Sequence, residues 1–130
     1  MTQTYPIVGA YFRPPAQALL DCLPVGAKLR LHSDPSGSYS GSDHNDLTAI
    51  AVYLPSVEIA SVNTERLNEA LAGYGHDFEY IMSQDEWMVG FIPKELARAA
   101  HEHGFPTDTD VEGEFTVSSS GRPMVRVLAF

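Results

Sequence analysis

Tyr11, Phe12 and Arg13 stand side by side, Tyr39 follows in a stretch of Ser, Gly and Asp, and Phe91 and Lys94 flank Ile92-Pro93. Rings and cations are what single-stranded nucleic acid needs, a π-face for each base and a positive charge for each phosphate. The same residue types also build ordinary cores, in which Phe12 and Phe91 would be packed and Arg13 and Lys94 solvated. Asp46 adds a carboxylate immediately before an apolar run, where turn and capping acids are common.

Other chemistry is weakly represented. Asp43-His44-Asn45-Asp46 offers oxygen and imidazole ligand types, yet one short loop rarely completes a metal site, and neither EF-hand spacing nor His-x-x-x-His is present. His101 and His103 are two apart and would leave a helix on different sides, while His32 and His76 stand alone. There is no G-x-S-x-G and no glycine-rich phosphate loop. The chain therefore reads as a binding module without a cofactor, and a small metal-dependent hydrolase around His44 is a third reading. Cys22, within Ala18-Leu19-Leu20-Asp21-Cys22-Leu23, is expected to be a buried small hydrophobe, its thiol made less acidic by Asp21. A lone cysteine fits a reducing cytoplasm.

The chain has 130 residues, 44% of them hydrophobic and 19% charged, enough for one domain with a real core. No apolar run approaches the ~20 residues of a membrane span. Met1-Thr2-Gln3-Thr4 lacks the basic-then-apolar pattern of a secretory signal. The net charge of −9 is unevenly spread. Residues 1–52 and 88–101 together hold five acids and five bases, whereas 53–87 hold seven acids against Arg66. Because phosphate neutralisation usually dominates DNA affinity, any DNA binding is expected to be weak and salt-sensitive.

The elements that must position these residues are mostly short strands. Tyr5 to Phe12 and Lys28 to His32 have strand character, as does the β-branched run Thr48 to Leu54. Ala16 to Leu23 fits a short helix or turn, and Ser33 to Asn45 a loop. Val57 to Val62 is expected to be a strand. A helix is expected over Glu65 to Leu71, capped by Asn63-Thr64 and ended by Gly73, with Leu67, Ala70 and Leu71 as its apolar stripe. Phe78 to Met82 alternates like a strand, and Trp87 to Ile92 is another. Pro93 then opens a helix ending near His103-Gly104, with Lys94 and Arg98 on one face and Leu96, Ala99 and Ala100 on another. Glu114 to Val117 and Met124 to Phe130 form a hairpin around Ser118-Ser119-Ser120-Gly121. The expected fold is mainly β with two or three short helices, a small OB-like β-barrel, although the strand–helix rhythm alone also allows an α+β domain.

Two separated stretches taken together and in order carry more than any one piece alone. Ile7-Val8-Gly9-Ala10-Tyr11-Phe12-Arg13 is followed by Leu29-Arg30-Leu31, Asp34-Pro35 and Asp46-Leu47-Thr48-Ala49-Ile50-Ala51-Val52, and then by Val89-Gly90-Phe91-Ile92-Pro93-Lys94-Glu95-Leu96-Ala97. This order resembles the HIRAN domain family over roughly half the residues. The resemblance implies a small barrel that holds the 3′ end of single-stranded DNA, here as a stand-alone module with an acidic insertion at about 55–86. Tyr11, Phe12, Tyr39 and Phe91 would stack on bases, and Arg13 and Lys94 would meet phosphates. An acid after the DP loop would accept a hydrogen bond from the terminal 3′-hydroxyl. Aligning Tyr39 puts Ser40 at that acid, whereas an earlier gap puts Asp46 there and Asn45 at the tyrosine. The implied partners are a single-stranded DNA end and a separate helicase or nuclease. The alternative is a protein-interaction module that binds a basic protein through the acidic insertion, without DNA.

Overall fold

The computed structural model describes residues 3–8, 15–33, 50–75 and 78–128. Two-residue periodicity builds its sheet. In β2 (Lys28–Ser33), Leu29, Leu31 and Ser33 are buried while Lys28, Arg30 and His32 lie on the outer face. In β5 (Asp110–Val117), Val111, Gly113 and Phe115 are buried in the same rhythm. β3 (Ile50–Pro55) and β4 (Glu86–Ile92) are more continuously apolar, because Ala51 and Phe91 are buried on the outer face as well. With β1 (Gln3–Pro6) and β6 (Pro123–Val127) they form a six-stranded antiparallel sheet in the order β1-β6-β5-β2-β3-β4.

The sheet curls until its edges touch. Past β1 the chain reaches Val8, whose N–H donates to the Phe91 carbonyl at 2.9 Å and whose carbonyl accepts from the Phe91 N–H at 2.8 Å. Gly90 permits this approach. A Cβ there would lie 2.6 Å from the Val8 carbonyl oxygen and 2.7 Å from Ile7 Cγ2. A register shift in β3 between Val52 and Tyr53, where it pairs with β4, adds a local bend. The result is a mainly β half-barrel.

Helices cover the remaining apolar surface. α1 (Pro15–Cys22) buries Ala16, Leu19, Leu20 and Cys22. After β3 come α2 (Ser56–Ile59), α3 (Thr64–Leu71) with a 3₁₀ turn over Ala72–Tyr74, and α4 (Phe78–Met82); α5 (Lys94–Glu102) follows β4. α1 packs against both β4 and α3. Asn63 caps α3, its Oδ1 accepting from the Arg66 N–H at 2.9 Å, and Leu67 and Leu71 are buried with Ala70 packed beside them. One apolar cluster joins Leu31, Val52, Leu54, Phe115 and Val125 of the sheet to Leu19, Ile59, Leu67, Ile81 and Ala100 of the helices.

Several expectations are corrected. There are five helices among the described residues rather than two or three. Val57 to Val62 is not a strand: Ile59 and Val62, three apart, are buried, while Val57 is 75% exposed. Phe78 to Met82 is likewise helical, with Ile81 buried and Phe78 and Met82 packed beside the core, while Tyr80 faces outward. In both places a three-to-four-residue period overrides the alternation. The chain leaves the 3₁₀ turn at Gly75, which has φ +74°, and not at Gly73. On α5 the buried face is Ala97 and Ala100, and Leu96 is exposed. The hairpin strands start earlier than expected, at Asp110 and Pro123.

Candidate nucleic-acid interface

Described residues from both stretches of the sequence pattern meet at one end of the half-barrel. Ile50, Ala51 and Val52 of β3 pair with Ile92, Phe91 and Gly90 of β4, and Ser33, His32 and Leu31 of β2 pair with Ile50, Ala51 and Val52. On the other side of β4, Val8 pairs with Phe91, and the Ile7 N–H donates to the Pro123 carbonyl at 3.0 Å. The rim therefore runs Pro123, Ile7–Val8, Phe91–Pro93, Ile50, Ser33. Val8, Ser33 and Ile50, which border residues 9–14 and 34–49 in sequence, all lie on it.

Two of the expected site residues are described. Lys94 is the first residue of α5, exposed, at the end of β4 beyond Pro93, and Arg98 lies exposed one turn on. Phe91 is 2% exposed and stands outside the main core cluster, so its ring presents no open face in this structure. Tyr11, Phe12, Arg13, Tyr39 and Asp46 lie outside the described residues, as do Ser40 and His44. Among the described residues, no group of three or more His, Cys, Asp and Glu could hold a metal ion.

The end of β2 is held by a histidine. His101 Nδ1 bonds the Phe105 carbonyl at 3.0 Å, which a carbonyl permits only if that nitrogen carries the proton, and Nε2 lies 3.0 Å from the buried Ser33 hydroxyl. The Ser33 carbonyl in turn accepts from the Asp108 N–H at 2.8 Å. His101 is thus a brace for the rim, consistent with its separation from His103.

The outer face of the sheet carries a different arrangement. The Arg30 guanidinium grips Glu86 with two N–H groups, donates to Asp110 Oδ1 at 2.7 Å and lies 4.1 Å from the Tyr53 ring centre. Its hydrogen bonding to Glu86 raises its pKa further, outweighing partial burial. His32 Nδ1 bonds the same Asp110 oxygen at 2.9 Å. Partial burial pushes the Asp110 carboxyl up, but His32 and Arg30 outweigh it and hold its pKa below the usual carboxylate value. Lys28 pairs with Glu112 and Glu114 at 3.4 and 3.6 Å, and Arg126 with Glu114 at 3.4 Å. A cleft of about 340 Å³ lies among Lys28, Arg30, Asp110 and Glu112, with its cations already engaged by acids. Cys22 is buried, which raises its thiol pKa; Arg66 opposes and Asp21 adds to the shift.

Sequence reasoning missed Arg122. It is exposed at the end of the Ser118–Gly121 turn, beside the rim, and its only signal was a cation placed in a polar turn. No helix among the described residues is long and apolar enough to cross a membrane. The chain matches no family model, no curated protein and no solved structure.

Proposed function

We propose that this protein is a HIRAN-like module with an OB-like barrel that binds single-stranded DNA and takes its 3′ end at the rim beside Lys94. The observation that carries the reading is the convergence on the end of β4 of residues far apart in sequence: Val8 meets Phe91, more than eighty positions away, and Ile50 meets Ile92. Lys94 would neutralise phosphate there with Arg13, Tyr11, Phe12 and Tyr39 would supply stacking surface, and Asp46 would accept the terminal hydroxyl. Phe91, being buried, would support the site from beneath rather than stack. The test is a titration of a 3′-hydroxyl oligonucleotide against its 3′-phosphate twin. The phosphate should weaken binding, and Asp46→Ala should erase the difference. Equal wild-type affinity for both ends would contradict end recognition.

A second reading rests on the segment between β3 and β4. Glu65 and Glu69 of α3, Glu79 of α4 and Asp85 are exposed, and Tyr74 and Tyr80 are 48% and 49% exposed. Acids interspersed with rings suit a basic protein segment and repel a phosphate backbone. Glu86, by contrast, is engaged by Arg30 and belongs to the fold.

A further inference from the structure

The rim is flanked by a cleft that joins residues of two sequence blocks to Gln17, Arg122 and Pro123, which lie in none. It encloses about 310 Å³ and is lined by Pro6, Ile7, Val8, Gln17, Pro93, Arg122 and Pro123. Its floor is apolar, with Ile7 buried and Val8 38% exposed. Such a volume sits at the lower end of the range of about 300–1,000 Å³ typical of ligand pockets, enough for one nucleotide-sized group. Gln17 is committed on one side, donating to Asp21 Oδ1 at 2.7 Å, which leaves its amide oxygen as an acceptor. Arg122 supplies the cation.

Arg122 is placed by its backbone. The Arg122 N–H donates to Ser118 Oγ at 3.0 Å, and its carbonyl accepts from the Ser118 N–H at 2.9 Å. The next residue, Pro123, accepts from Ile7. These bonds fix where the side chain starts without using its guanidinium, which makes no ion pair with the described residues. Lys28, Arg30 and Arg126, in contrast, are neutralised by acids of the outer face.

We infer that this cleft is a second subsite on the strand path, in which Arg122 contacts an internal phosphate and the Ile7–Val8–Pro93 floor receives the adjoining nucleotide. The inference rests on the single-stranded DNA reading above and extends it away from the 3′ terminus. Arginine suits the role because its planar fork matches two phosphate oxygens.

The test measures affinity against salt by fluorescence anisotropy, with 3′-hydroxyl and 3′-phosphate octathymidylates, for wild type, Arg122→Ala, Arg122→Lys and the control Lys28→Ala. Arg122→Ala should weaken binding equally for both oligonucleotides and lower the slope of log K against log salt by about 0.7, the increment for one single-strand phosphate contact. Arg122→Lys should retain the slope, and Lys28→Ala should behave as wild type. If wild type binds and Arg122→Ala leaves affinity and slope unchanged, the subsite is wrong while the rim reading stands. A loss confined to the 3′-hydroxyl ligand would also overturn an internal contact. If wild type binds neither oligonucleotide, both the subsite and the reading beneath it fall.

Discussion

Asp110 receives Arg30 and His32 on one oxygen, and each of these is tied to another strand of the outer face. A carboxyl whose pKa is lower in the folded than in the unfolded chain supports the fold at pH above its unfolded value. That support is lost as pH falls through the folded value. The loss for Asp110 therefore lies below about pH 4. Asp110 is 59% exposed, so solvent screens the effect and the change will be small. Thermal melts should show a shallower acid limb for Asp110→Asn than for wild type, with wild type slightly the more stable at pH 7 and the two converging as pH falls below about 4. Identical acid limbs would mean that the network does not act on this carboxyl. The same contacts explain why basic residues in β2 do not make the sheet face a phosphate surface: their charges are already answered.

Among the elements, the closure of β1 on β4 is the most demanding. Gly90→Ala would force a methyl against the Val8 carbonyl, which is backbone and cannot swing aside. Overpacking of this kind costs about 1–3 kcal/mol. Gly73→Ala meets nothing within 4 Å and should be neutral or slightly stabilising. Urea melts of the two variants compare them directly, and equal stability would show that the edges do not need the close approach. Where alternation follows burial on one face, as in β2, the sequence showed the strand. It misled at Val57 and Ile59, and at Phe78, Tyr80 and Met82, where residues two apart invite a strand but the core takes Ile59 and Ile81 from helices and Val62 from the turn after α2. The capping of α3 by Asn63 was legible because capping is local. The meeting of Val8 with Phe91 was not, because it depends on a pairing across more than eighty residues, and Arg122 gains meaning only beside the cleft that pairing helps to form.

For the molecule as a whole, the charge of −9 is a matter of placement. The segment between β3 and β4 joins the common core through Ile59, Leu67, Leu71 and Ile81, so its exposed acids are held on a folded surface. Lys94, Arg98 and Arg122 lie with the rim and its cleft or on the helix that leaves it. On the proposed reading, a strand approaching this molecule would meet repulsion from one region and attraction from another. Both are screened over about 8–10 Å at ordinary salt. The measurement that bears most directly on the claim is a map of backbone amide shifts during titration with a short 3′-hydroxyl oligonucleotide at low salt. The account predicts shifts concentrated at Ile7, Val8, Ser33, Ile50, Phe91, Ile92 and Lys94, with residues 64–71 and 78–82 unmoved. Shifts absent from the rim, or confined to those two helices, would contradict it.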